Sequence, residues 1–267
     1  MAGQLFSYLF PEVCRPMSCT RDDLRVYLDT LLVPEKYRDY CPNGLQIEGK
    51  EVIHRLVTGV TACQALIDQA IEVGADAILV HHGFFWRSED PVVVGMKARR
   101  LRALMLSDIN LFAYHLPLDC HPELGNNAQL GRLMGISKAT HLASSDSSIP
   151  VFCGELTEAM PISSFVEHLS SQLGRELLTV GEGAVKKIAW CTGAGQHYID
   201  KAADAGMDLY VTGEVSEQTI HSARERGICF VSAGHHATER YGVQAVGEQV
   251  AGELGCVHQF IDIDNPA

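Results

Sequence analysis

His54–Gly83, HRLVTGVTACQALIDQAIEVGADAILVHHG, is the stretch whose reading decides the fold. Residues 54–59 read as a strand, and Cys63–Val73 carries apolar residues at helical spacing. Gly74 closes that helix, and Ala77–Val80 is a short apolar run of the kind buried in a parallel sheet. A strand, a helix and a second strand within about thirty residues make a βαβ unit. Ligands of open sheets built from such units bind beyond the carboxyl ends of the strands. His81-His82-Gly83 stands at that position.

The pattern continues outward. Upstream, Thr20 is placed to cap a helix whose apolar stripe is Leu24, Tyr27, Leu28 and Leu31, and Pro34 ends it. Tyr40-Cys-Pro-Asn-Gly44 reads as a turn into Leu45-Gln-Ile47. Downstream, a helix fits Lys97–Leu106 and a strand Leu111–Tyr114. Ala143–Ser148 is Ser/Asp-rich and reads as a linker. Beyond it come a strand at Val151–Leu156, a helix at Ser163–Leu173, and strands near Leu177–Val180 and Lys187–Cys191. Alternation of this kind predicts an α/β fold with largely parallel sheets.

An internal repeat lies within it. Ile67-Asp-Gln-Ala70, Gly74 and Asp76 recur 132 positions later as Ile199-Asp-Lys-Ala202, Gly206 and Asp208. Chance likeness between α/β segments is one explanation and duplication the other. Under duplication, Glu214 stands where His82 stands in the first copy.

Composition bounds the function. A formal charge of −12 argues against a nucleic-acid-binding protein. Lys97-Ala-Arg-Arg-Leu-Arg102 runs against that balance, as a solvated helix face or as a cradle for a substrate phosphate. The nine cysteines form no CxxC pair, which suits reduced thiols and a cytoplasmic setting. No apolar stretch reaches the roughly 20 residues of a membrane helix. The first 17 residues hold an apolar patch, Leu5–Phe10, without a basic flank, and read as an extension rather than a secretion signal.

Three clusters carry chemistry: His81-His82, His115-Leu-Pro-Leu-Asp119 and His235-His236-Ala-Thr-Glu239. The first two follow apolar strands, and the third opens a helix after Gly234. Neighbouring strand residues face opposite ways, so the histidine pair can serve two metals, or one metal and the substrate. His235 and Glu239 share a helix face; Glu239 can bridge two cations, and Asp119 can supply a terminal carboxylate. Imidazole and carboxylate donors without thiolate favour Fe, Mn, Zn or Co. His121 and His221 are weaker candidates for supporting roles; His54, His141, His168, His197 and His258 read as surface residues. Phe84-Phe85-Trp86 either walls a pocket or packs in a core or subunit interface. Thr192-Gly-Ala-Gly195 lacks the third glycine of a dinucleotide loop.

Together these clusters resemble the Nif-three-like dinuclear metal centre family, whose bacterial members are often named GTP cyclohydrolase I type 2 homologues. Pro42-Asn-Gly-Leu-Gln46, Thr58-Gly-Val-Thr61, Gly74-Ala-Asp76, Gly125-Asn-Asn127, Thr212-Gly-Glu214 and Asn265-Pro266 add to the likeness, which runs from about residue 20 onward. The resemblance implies two divalent metals per chain, held by His81, His82, Asp119, His235 and Glu239, with Glu239 as the bridge and His115 beside them. It implies two interleaved α/β units: 18–143 with 230–267 around the metals, and 149–229. It also implies a homo-oligomer, a toroidal hexamer.

Two functions follow as expectations. In a metal-dependent hydrolase, His115 or Glu214 would move protons. A cyclohydrolase version would open the imidazole ring of a guanine nucleotide and release formate. The alternative is a non-catalytic metal-handling or stress-linked scaffold.

Overall fold

The computed structural model describes residues 18–142 and 150–267; the extension 1–17 and the linker segment 143–148 lie outside the described residues. The chain opens with β1 (Cys19–Thr20), α1 (Arg21–Leu32), β2 (Gly44–Ile47) and β3 (Val52–Ile53). The Thr20 hydroxyl accepts the Asp23 N–H, and the Asp23 carboxylate accepts the Thr20 N–H, so α1 begins in a reciprocal cap. Leu24, Leu28 and Leu32 form its buried side.

The βαβ unit follows as β4 (Arg55–Thr61), α2 (Gln64–Glu72) and β5 (Ala77–His82). Strand β5 runs two residues past its apolar stretch and includes both histidines. Then come α3 (Gly95–Leu106), β6 (Asn110–Ala113), α4 (Leu116–Cys120) and α5 (Asn126–Leu133). Further on lie β7 (Thr140–His141), β8 (Phe152–Pro161), α6 (Ile162–Leu173), β9 (Leu178–Val180) and β10 (Ala184–Cys191). The remainder is α7 (Ile199–Asp204), β11 (Leu209–Thr212), α8 (Glu217–Arg226), β12 (Cys229–Ser232), α9 (His235–Leu254) and β13 (Val257–Phe260).

One five-stranded sheet has the order β13-β4-β5-β6-β2, parallel except for the edge strand β2. A six-stranded sheet has the order β7-β8-β10-β11-β12-β9. Its centre, β10-β11-β12, is parallel and its outer pairings are antiparallel. The fold is α/β, with parallel strands at the centre of each sheet. Strand β12 belongs to the six-stranded sheet, so the chain returns to the first unit after Ser232 rather than at residue 230.

Both sheets are covered on both faces, as parallel strands require. Leu66, Ile67, Leu101 and Leu104 of α2 and α3 pack one face of the first sheet; Leu24 and Leu28 of α1 with Val243, Val246 and Val250 of α9 pack the other. Phe165 and Leu169 of α6, joined by Leu130 of α5, pack one face of the second sheet; Ile199, Ala202 and Ala223 of α7 and α8 pack the opposite face.

The repeat is a repeat of structure. Strand β4 pairs with β5 as Leu56↔Ala77 through Gly59↔Val80, and β10 pairs with β11 as Ile188↔Leu209 through Cys191↔Thr212. Each pairing matches the other at the 132-residue offset. Asp76 accepts the backbone N–H groups of His54 and Arg55, and Asp208 those of Lys186 and Lys187. Each aspartate ties the start of its own strand to the strand that precedes it.

Asp76 also binds Lys50 Nζ at 2.7 Å. Burial alone would raise its pKa, but Lys50 and the two N–H groups outweigh burial and hold it below the usual range. A depressed carboxylate contributes stability above its unfolded pKa and loses it as pH falls through the folded one. Asp76→Ala is therefore expected to cost about 3 kcal/mol in urea unfolding at neutral pH. The deficit should shrink toward zero as the wild-type carboxylate is protonated in acid.

Candidate metal centre

The carboxyl ends of both sheets supply the site. His81 and His82 end β5, and His115 and Asp119 lie at the start and within α4, which follows β6. Glu214 follows β11, and His235 and Glu239 open α9, which follows β12. Gly234, at φ +94, makes the sharp entry into α9.

Glu239 sits at the middle, 3% exposed. One of its oxygens lies 3.5 Å from His81 Nε2, and the other 3.4 Å from His82 Nε2 and 3.2 Å from His235 Nε2. Asp119 Oδ1 is 3.5 Å from His81 Nε2 and accepts hydrogen bonds from Asn126 and Thr192. Two groups of potential ligands result, His81–Asp119–Glu239 and His82–His235–Glu239, with Glu239 common to both. His81, His82 and His115 also lie close enough to share an ion.

The other nitrogen of every imidazole is occupied. His81 Nδ1 bonds to the Tyr114 carbonyl at 3.1 Å, His82 Nδ1 to Thr61 Oγ1 at 3.1 Å, and His235 Nδ1 to Glu214 at 2.8 Å. His115 Nδ1 bonds to Asp39 at 2.7 Å. Outer partners of this kind fix the ring and leave Nε2 as the ligand atom.

Electrostatics point the same way. Burial pushes His82 down to about 3, with His81, His115 and His235 adding to the effect and Glu239 opposing it. Burial would also lower His81 and His235; instead Asp119 and Glu239 carry His81 up to about 9, and Glu239 and Glu214 do the same for His235. Burial raises Asp119, with Glu239 adding to it against His81. Burial favours protonation of Glu239 too, but His82, His81 and His235 hold it ionised. Even so, His81 Nε2 and Glu239 Oε2 are buried without a hydrogen-bond partner. An unpaired buried polar atom costs about 1–3 kcal/mol. A divalent cation would satisfy both, and imidazole with carboxylate is a donor set suited to Fe, Mn, Zn or Co. The residues fit such an ion.

Asp39 was not evident from the sequence. Its carboxylate, which lies in a turn with no metal-ligand spacing, takes the His115 ring, the Leu116 N–H and the Asn43 amide. Asn43 in turn accepts the His115 N–H. Burial would raise Asp39, but these partners hold it down at about 2. The pairing selects the His115 tautomer with hydrogen on Nδ1 and a free Nε2. Asp39→Asn should therefore redistribute the His115 tautomers, read from ring ¹⁵N shifts, with the metal stoichiometry unchanged. Unaltered shifts would show that Asp39 does not hold the ring.

A cavity of about 710 Å³ opens above the centre. Arg38, Tyr40, Trp86, His197 and Tyr198 help to line it, beside His82, His115 and His235. His197, read as a surface residue, is part of this wall, and half-buried His258 bonds to buried Thr58 at 2.8 Å. Of the aromatic trio only Trp86 reaches the cavity; Phe84 is core and Phe85 is exposed. The Lys97–Arg102 stretch lies outside the lining; among the described residues Arg38 is the one lysine or arginine that lines the cavity. His121 accepts two N–H groups of its own turn, and His221 is exposed on α8. His236 pairs with Asp262.

The family model described as Duf34/NIF3 (NGG1p interacting factor 3) matches residues 19–266. The protein of Pseudomonas aeruginosa named GTP cyclohydrolase 1 type 2 homolog is 55% identical over 240 residues, 90% of this chain and 95% of that one. The Haemophilus influenzae protein of the same name is 55% identical over 248 residues, 92% of this chain and 98% of that one. Among solved structures, protein ybgI, of unknown function, has a TM-score of 0.89 at 49% identity, covering 93% of this chain and 100% of that chain. TTHA1606 from Thermus thermophilus has a TM-score of 0.86 at 33% identity with the same coverage. With nearly the whole chain matched in sequence and in fold, this chain belongs to the Duf34/NIF3 family.

Proposed function

We propose that this chain binds two divalent metal ions and is a metal-dependent hydrolase acting on a nucleotide, as the names of its relatives suggest. The observation that carries the reading is the buried, doubly shared Glu239, faced by three imidazoles whose Nδ1 atoms are all tied. His81, Asp119 and Glu239 would hold one ion, and His82, His235 and Glu239 the other. Such ions supply Lewis acidity and lower the pKa of bound water.

The protein's own groups do the rest. Asp39 holds His115 so that its Nε2 can carry a proton. Glu214, which accepts hydrogen bonds from both Gln196 and His235, orients the His235 ring rather than moving protons itself. Asp119 and Glu239 are the only carboxylate side chains among the described residues lining the cavity, in a chain with 33 acidic residues. That lining, with Arg38 and the flat rings of Tyr40 and Trp86, suits an anionic substrate with a planar base. A cytoplasmic setting agrees with eight free cysteines among the described residues. Among the described residues no helix is long and apolar enough to cross a membrane.

Elemental analysis of protein purified without added metal, followed by a formate-release assay with GTP, tests this reading. About two equivalents per chain with metal-dependent turnover support it. Two equivalents without turnover on any nucleotide would leave a metal-handling protein. Less than one would remove the dinuclear centre.

A further inference from the structure

Cys19 and Cys256 come from distant parts of the chain to one short stretch, Ile53–Arg55. Cys19 lies opposite Ile53 in the β1–β3 ladder. Cys256 stands between Gly255, which closes α9 at φ +74, and Val257, which opens β13. Val257 lies opposite Arg55 and donates its N–H to the His54 carbonyl. Both cysteines pack in the apolar cluster of Leu24, Leu28 and Val250, and their thiols hydrogen-bond to each other. That contact aims the two side chains at one another, as a disulfide requires.

The two sulfurs are not alike. Burial pushes the thiols of Cys41, Cys191 and Cys229 up. Cys256, 4% exposed, goes the other way: the hydrogen bond from Cys19 holds it below the usual thiol range against burial. The same bond, with burial and the Asp23 carboxylate, raises half-buried Cys19. Oxidants react with the thiolate, so Cys256 is the sulfur to be attacked and Cys19 the thiol poised to resolve it. Cys19 also lines a groove of about 760 Å³ between α1 and the end of α9, beside Asp22, Asp23 and Glu253. No lysine or arginine lines this groove. Its negative charge turns away an anionic oxidant such as glutathione disulfide and admits a small neutral one.

We propose that Cys19 and Cys256 are a hydroperoxide-sensitive pair that closes to a disulfide and fastens β1 to the junction of α9 and β13. The Cys256 thiolate attacks one oxygen of hydrogen peroxide; the O–O bond breaks, the sulfur becomes a sulfenic acid, and hydroxide leaves. The Cys19 thiol then attacks that sulfur. The S–S bond forms, the S–O bond breaks, and the oxygen departs as water with the Cys19 proton. Two thiols thereby lose two electrons, and one peroxide is reduced to two waters. The new bond ties the residue before the α1 cap to a residue just beyond α9, the helix whose start carries His235 and Glu239. A link between positions so far apart in sequence removes much freedom from the unfolded chain. Neither the metals nor the substrate takes part.

Treatment of the full chain with hydrogen peroxide, alkylation of the remaining thiols and peptide mass spectrometry test the pair. The main disulfide should join Cys19 to Cys256, and dithiothreitol should remove it. Oxidation should lower the unfolding equilibrium constant of the wild type in urea at least about tenfold, and that of Cys19→Ser not at all. Serine keeps a hydroxyl donor beside Cys256, so in Cys19→Ser the Cys256 sulfenic acid should persist and be captured by dimedone. The wild-type cross-link is read without any variant, so a variant that fails to fold leaves the test intact. Cys19 and Cys256 left free or joined to other cysteines would overturn the proposal. So would a cross-link that leaves urea stability unchanged, or one formed by glutathione disulfide and not by peroxide.

Discussion

Glu239→Gln is expected to empty both halves of the metal centre at once. Glutamine keeps the length and shape of the side chain and removes only the charge. That charge is the one feature common to His81–Asp119–Glu239 and His82–His235–Glu239. Changes to outer partners of ligands already cost about 10- to 100-fold in metal affinity. Loss of a shared ligand charge should cost at least about 100-fold at each position. His235→Ala, which disturbs one group, should retain about one equivalent instead. The same contrast will show in stability. With free metal at about 100 times its Kd, binding adds about 2.7 kcal/mol to the folded wild type, and Glu239→Gln should show none of it. Elemental analysis and a chelator titration, run beside metal-dependent melting, read both effects. A variant that kept two equivalents would remove Glu239 from the centre.

What made this site legible in the sequence was local. Ala77–Val80 reads as a strand because a buried parallel strand is an apolar run, and the first polar residues after it, His81 and His82, mark its carboxyl end. His235 and Glu239 are readable as a pair because helical spacing alone sets their common face. The 132-residue repeat put Glu214 at the strand end equivalent to that of His82, and its carboxylate does face the site, through His235.

What stayed hidden depends on tertiary contact. Asp39 reaches His115 across 76 positions and Thr58 reaches His258 across 200, and no periodicity carries such information. The Lys97–Arg102 stretch was visible as a basic run, but its direction was not. Leu101 and Leu104 claim the inner side of α3, which turns Arg99 and Arg102 away from the cavity. The return of the chain after Ser232 was misplaced for a similar reason: β12 and the start of α9 are adjacent in sequence, and only the ladder with β11 assigns the strand to the second sheet.

Gly193→Ala should lose metal although no ligand is replaced. The loop that reads in sequence as a weak dinucleotide motif has a different use here: Gly193 leaves room for Glu239. A Cβ at Gly193 would lie 2.1 Å from Glu239 Oε1 and 3.2 Å from His235 Nε2. The backbone has little freedom to retreat. The Gly193 N–H donates to Thr238 Oγ1 at 3.0 Å, and its carbonyl accepts the N–H groups of Gly195 and Gly213 and the Thr212 hydroxyl. The carboxylate, as the flexible partner, must move, and it is the group both sets of potential ligands share. Gly193 also lies at φ +63, where alanine costs about 1–2 kcal/mol. Gly206→Ala separates the two effects, since Gly206 sits at φ +69 with nothing within 4 Å of an added Cβ. Both variants should lose a similar stability in urea, but only Gly193→Ala should bind metal at least about tenfold more weakly. Equal metal retention by the two would mean that the Glu239 carboxylate is not held where the centre requires it.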